Sequence, residues 1–95
     1  MNNKSSEELD AVQQAIVKYV LREHPSGYTP ETIPLDQSLL ELGVLDSYGV
    51  VELIVFLEDN WSVTIEDDEI TKEKMGSIEK MAALIFNKLI TRKKK

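Results

Sequence analysis

The chain has no cysteine. Disulfides, thiolate nucleophiles and cysteine-ligated metal sites are therefore excluded. No apolar run is long enough for a membrane-spanning helix, and residues 1–8 lack the apolar core of a secretory signal. A cytoplasmic protein with no membrane association is expected. Lysine and arginine are missing between Arg22 and Lys72, an interval that holds twelve acids from Glu23 to Glu69. The net charge of -6 understates this: without the basic run 92–95, 7 Lys/Arg stand against 17 Asp/Glu, a balance of -10. Such a body repels phosphates, which disfavours nucleic-acid binding, and it attracts basic protein surfaces. The basic run itself reads as a helix end with cations at the favourable C-terminal position.

What is present fits one small helical domain. At 95 residues the chain makes a single domain, 1–95, with frayed ends expected at 1–5 and 92–95. Ser5 and Glu8 have the spacing of a capping box. Leu9, Val12, Ile16 and Tyr19 or Val20 recur at three- and four-residue steps, predicting a first helix over about 7–22. His24-Pro25-Ser26-Gly27 ends it, and Pro30 and Pro34 keep residues 24–46 irregular. Ile33, Leu35, Leu39, Leu40, Leu42, Val44 and Leu45 can pin this long connection to a core, and 38–43 reads as one helical turn closed by Gly43. A second helix is predicted from Ser47 to about Asn60. Its buried stripe is Val51, Ile54 and Leu57, with Val50 and Leu53 beside it. Its outer side is Tyr48, Glu52, Val55 and Asp59, a mixture that suits a surface meeting partners. A short helix is expected around Asp67–Thr71, and a last one from Ser77 as cap, with Ile78, Met81, Ala82, Leu84 or Ile85, and Leu89 inward. No strand is expected. The fold class is all-α, with three main helices and one short one.

Three kinds of chemistry can be weighed. A serine nucleophile needs a base and an oxyanion hole. The single histidine, His24, lies beside a proline and reads as a solvated turn residue, and no Gly-x-Ser-x-Gly elbow surrounds Ser47. No catalytic residue is assigned. Glu66-Asp67-Asp68-Glu69 lacks the alternating acids and central glycine of a calcium loop, so it reads as an acidic helix start and no metal site is assigned. The third possibility is covalent modification of Ser47, which follows Asp46 where a polar loop gives way to an apolar helix. A helix N-terminus offers free N–H groups and a favourable dipole to a phosphodiester. On the cap pattern alone, an ordinary N-cap at Asp46 or Ser47 is the better reading, because Asp and Ser caps are common.

The run from Ser38 to Glu58, with Leu42-Gly43-Val44-Leu45-Asp46-Ser47-Tyr48 followed by a helix rich in Val, Glu and Leu, resembles the acyl carrier protein/peptidyl carrier protein family. The resemblance extends from Leu9 to about Leu89 in helix order and in the long first loop. It implies a four-helix bundle of acyl-carrier type whose serine, here Ser47, receives 4'-phosphopantetheine from coenzyme A through a separate transferase with magnesium. Asp46 matches the aspartate that helps that phosphopantetheinyl transferase engage. The arm would supply the thiol this chain lacks, and an acyl or aminoacyl cargo would ride on it as a thioester. Further implied partners are an acyl-loading ligase or transferase, and a ketosynthase or other acyl-processing enzyme. They would read the second helix, where Tyr48, Glu52, Val55, Glu58 and Asp59 are the candidate contacts. Tyr48 stands where leucine is commonest in fatty-acid carriers, and Trp61 where phenylalanine is usual. Gly43-Val44-Leu45 before Asp46-Ser47 looks more like discrete carriers of specialised pathways, loaded by adenylating ligases or serving polyketide or nonribosomal assembly, and a monomer is expected. The competing reading is an acidic helical adaptor, never modified, that binds a basic protein.

Overall fold

A computed structural model describes residues 4–93, with side chains described for 7–92. Four α-helices follow one another: α1 (Lys4–Glu23), α2 (Ser47–Trp61), α3 (Lys72–Met75) and α4 (Ile78–Lys93), with a single 3-10 turn (Asp67–Glu69) before α3. The described residues contain no strand. The all-α bundle expected from the sequence is what forms, with three long helices and one short. No helix among the described residues is long and apolar enough to cross a membrane.

The α1 stripe forms as its spacing dictates. Val12, Ile16, Val17, Tyr19 and Val20 are buried, Leu9 packs against them from the edge, and Gln14 and Lys18 face water. The helix starts at Lys4, so Ser5 lies within it and the expected Ser5 boundary is too late. The fraying expected at 1–5 and 92–95 falls in part on residues 1–3 and 94–95, which lie outside the described residues; positions 4, 5, 92 and 93 are helical. α4 turns Ile78, Met81, Ala82 and Ile85 inward against α1 and α2, and the Ser77 hydroxyl caps it by accepting from Lys80 N–H at 3.2 Å.

The long connection is pinned at both expected places. Ile33, Leu39, Val44 and Leu45 are buried in the same core as the helices. One helical turn over 38–43 has Leu42 N–H donating to Ser38 C=O at 3.0 Å, and it closes at Gly43 with φ +78°. That left-handed backbone is what glycine supplies without steric cost. Leu40 departs from expectation: it points away from the core and is exposed. The loop is also tied to α4, since Leu35 C=O accepts from Glu79 N–H at 3.0 Å, a first-turn donor that the helix itself cannot satisfy.

Beyond α2 the chain makes two short pieces where one helix was expected. The 3-10 turn ends at Glu69, and Thr71 then begins a new helix by accepting from Lys74 N–H at 3.1 Å. Thr71 is thus a cap, not the end of a helix, because its hydroxyl competes for the backbone of the following turn.

Candidate functional site

Ser47 is the first residue of α2 and is exposed. Asp46 precedes it in extended backbone, and its Oδ1 accepts Gly49 N–H at 2.8 Å, so Asp46 is the N-cap. The first intrahelical bond runs from Val50 N–H to Asp46 C=O at 3.0 Å. Helix geometry leaves the earliest N–H groups without intrahelical partners, at the positive end of the dipole. The cap of this helix is therefore Asp46, which leaves the Ser47 hydroxyl out of that role. Asp46 caps, and Ser47 presents a hydroxyl to solvent beside the helix start.

The exposed face of α2 is apolar at its centre. Tyr48 is 72% exposed, Val51 57% and Val55 50%. They lie at three- and four-residue steps, on one side of the helix below Ser47. Glu52 and Asp59 are exposed on the same helix. Val51 corrects the expected buried stripe. The inward residues of α2 are Gly49, Leu53 and Leu57, with Ile54 half-buried.

Glu58, another of the candidate contacts, is also engaged within the chain. It is half-buried, and its Oε2 accepts Ile65 N–H at 2.9 Å, tying the segment after α2 back onto the helix. At the end of α2, Ser62 adopts φ 52° and ψ 48°, and its N–H donates to Glu58 C=O. The guanidinium of Arg92 donates to Ser62 C=O at 2.7 Å and to Trp61 C=O at 3.2 Å. Arg92 was read only as part of a basic tail. Here it satisfies carbonyls that the end of α2 leaves open.

His24 is not a solvated turn residue. Its Nε2 is buried with no hydrogen-bond partner, so no hydrogen bond from that atom reaches Ser47. The imidazole lies edge-on to Tyr19, with centroids 6.1 Å apart, and Tyr19 stacks on Phe56 of α2 at 4.2 Å. It also rests against Gly49, where a Cβ would stand 3.1 Å from His24 Cε1. Glu52 Oε1 is 3.8 Å from Nε2.

A pocket of about 270 Å³ opens between the loop turn, α2 and α3. Leu39, Leu45, Val50, Leu53, Met75 and Met81 make its apolar walls. Leu45 and Val50 flank the Asp46–Ser47 pair in the chain, so the pocket lies under the start of α2. Glu41 and Lys72 stand among its lining residues and meet at 2.8 Å. The Lys72 ammonium holds the Glu41 carboxyl below its usual range, first by their hydrogen bond and then by charge.

The acidic cluster at 66–69 is structural. Glu69 Oε1 accepts Glu66 N–H at 2.9 Å and pairs with Lys88 Nζ at 2.8 Å. That makes it the acidic helix start expected of it.

No protein-family model matches the chain. It is similar to D-alanyl carrier proteins. It is 43% identical over 47 residues to that of Streptococcus suis (strain 98HAH33), 38% to that of Streptococcus mutans serotype c, and 36% to that of Streptococcus pyogenes serotype M5. Each match covers 50% of this chain and 60% of the relative's length. Each of these relatives is named a carrier protein, which agrees with the resemblance drawn from the sequence.

Proposed function

We propose that this chain is a carrier protein in which Ser47 accepts 4'-phosphopantetheine from coenzyme A and bears cargo as a thioester on the arm. The observation that carries the reading is the exposed Ser47 as first residue of α2, with the neighbouring Asp46 already occupied as cap. Ser47 contributes the attacking oxygen. The phosphopantetheinyl transferase supplies the base and magnesium, which fits a site where the buried Nε2 of His24 makes no hydrogen bond to the hydroxyl. The helix N-terminus favours the resulting phosphodiester, since its N–H groups and dipole complement an anion. The arm brings the thiol that a chain without cysteine lacks.

The partners are the transferase, a loading ligase or acyltransferase, and downstream acyl-processing enzymes. They dock on α2 through a basic rim facing Glu52 and Asp59 around an apolar centre facing Tyr48, Val51 and Val55. Two cargo classes have support. The relatives' name favours a D-alanyl group. The apolar pocket under the start of α2 favours a hydrocarbon acyl chain, as in fatty acid or polyketide synthesis.

Incubation with coenzyme A, magnesium and a broad-specificity transferase, followed by intact mass measurement, tests the reading. The expected gain is one phosphopantetheine, absent in Ser47→Ala. No gain with several transferases sinks the carrier reading. It would leave an unmodified acidic adaptor, for which Ser47→Ala keeps partner binding intact. Loading the product in parallel with D-alanyl and medium-chain acyl groups then separates the cargo classes. Only a hydrocarbon chain should perturb Leu39, Leu53 and Met75.

A further inference from the structure

We infer that His24 and Glu52 form a proton-operated latch between the end of α1 and the first turns of α2. Protonation of the imidazole draws the Glu52 carboxylate onto Nε2 and takes its charge off the exposed face below Ser47. The seat for the ring is built. Gly49 leaves a notch that a Cβ would narrow to 3.1 Å from His24 Cε1, and the Tyr19 ring meets the imidazole edge-on with centroids 6.1 Å apart. Inside it Nε2 has no hydrogen-bond partner. Glu52 Oε1 is 3.8 Å away, too far for a hydrogen bond but within one side-chain adjustment of it. The Glu52 side chain is 46% exposed and free to make that adjustment.

The other charged groups around the ring are accounted for. On α1, Glu23 is engaged by Arg22 Nε at 2.8 Å. Before α2, Asp46 Oδ1 is held by Gly49 N–H at 2.8 Å. The Tyr19 phenol is pushed up, by burial first and then by the charges of Glu52 and Glu23, with Arg22 opposing, so it stays neutral when the latch operates. Histidine is the side chain whose charge changes between pH 5 and 8. A proton on the imidazole turns the 3.8 Å approach of the Glu52 carboxylate into an ion pair. It also removes one negative charge from a helix face whose acids would steer basic partners. The latch needs no group on Ser47, so its failure and the failure of the carrier reading are separate outcomes.

The test is a titration from pH 8 to 5 of the whole, unmodified chain. The Glu52 side-chain carboxyl carbon and the backbone amides of residues 47–52 are followed by NMR. In the wild type these signals should move together with the His24 ring carbons. In His24→Gln the movement in this pH interval should be lost. Glu52→Gln lies at an exposed position and keeps the fold, so it serves if His24→Gln does not. There the ring carbons should still move, while the amides of 47–52 no longer follow. A Glu52 carboxyl that stays still between pH 8 and 5, or amides that move equally in Glu52→Gln, overturns the latch.

Discussion

Asp46 carries two roles that substitution can pull apart. Its carboxylate accepts Gly49 N–H at 2.8 Å, which is the work of an N-cap, while the carrier reading asks it to meet a transferase as an anion. Asparagine caps about as well as aspartate, and alanine does not. Asp46→Asn should therefore leave thermal stability nearly unchanged, whereas Asp46→Ala should cost about 1 kcal/mol, within the range for lost caps. If the transferase reads the charge, both variants should slow modification of Ser47 to a similar degree. Normal loading of Asp46→Asn beside slow loading of Asp46→Ala would mean that only the cap matters. Glu58 is a residue of the opposite kind. It was a candidate contact on a partner-facing helix, yet one carboxylate oxygen is committed to Ile65 N–H within its own chain. We leave it out of the proposed partner surface.

At the scale of elements, α2 is the helix whose orientation the sequence conveys least. Val50, Val51, Leu53, Ile54, Val55, Phe56 and Leu57 are all apolar, so a three- and four-residue series can be drawn through 51, 54 and 57 as readily as through 49, 53 and 57. The second is real, because Gly49 sits where the loop and His24 press closest. The consequence is measurable by chemical denaturation. Leu53→Ala, at a fully buried position, should cost about 2–5 kcal/mol. Val51→Ala should stay within about 0.5 kcal/mol, and its effect should fall on partner docking instead. Equal losses would restore the first series. The inward faces of α1 and α4 were legible because polar residues interrupt their stripes on the far side, which fixes a single phase. The Asp46–Ser47 start of α2 and the Gly43 turn were legible for a local reason: caps and left-handed turns are set by the residues that make them. The contacts of His24 and Arg92 were not, because each joins segments distant in the chain and no local pattern announces them.

Across the whole molecule, scarce cations tie distant segments of an acidic chain. Lys72 reaches Glu41, Arg92 reaches the end of α2, and Lys88 reaches Glu69. Their energies differ with solvent access. The Lys72–Glu41 pair is exposed on both sides, and screening leaves such a pair little net effect. The Lys88–Glu69 pair keeps only 21% and 19% side-chain exposure and is supported by Glu66 N–H. Its loss should cost about 1–2 kcal/mol, between the values for exposed and buried pairs. The pH dependence follows from Glu69. The hydrogen bond from Lys88, then that from Glu66 N–H, holds its carboxyl below the ordinary value of 4.5, against a smaller opposing effect of burial. A depressed carboxyl stabilises the fold fully above its unfolded value and loses that contribution as pH falls through the folded one. Urea denaturation of the wild type and of Lys88→Met should therefore differ by about 1–2 kcal/mol at pH 7. The difference should narrow as the pH drops below 4.5. A gap that stays constant into acid would mean that Lys88 acts through the packing of its alkyl chain, with no part played by the charge of Glu69.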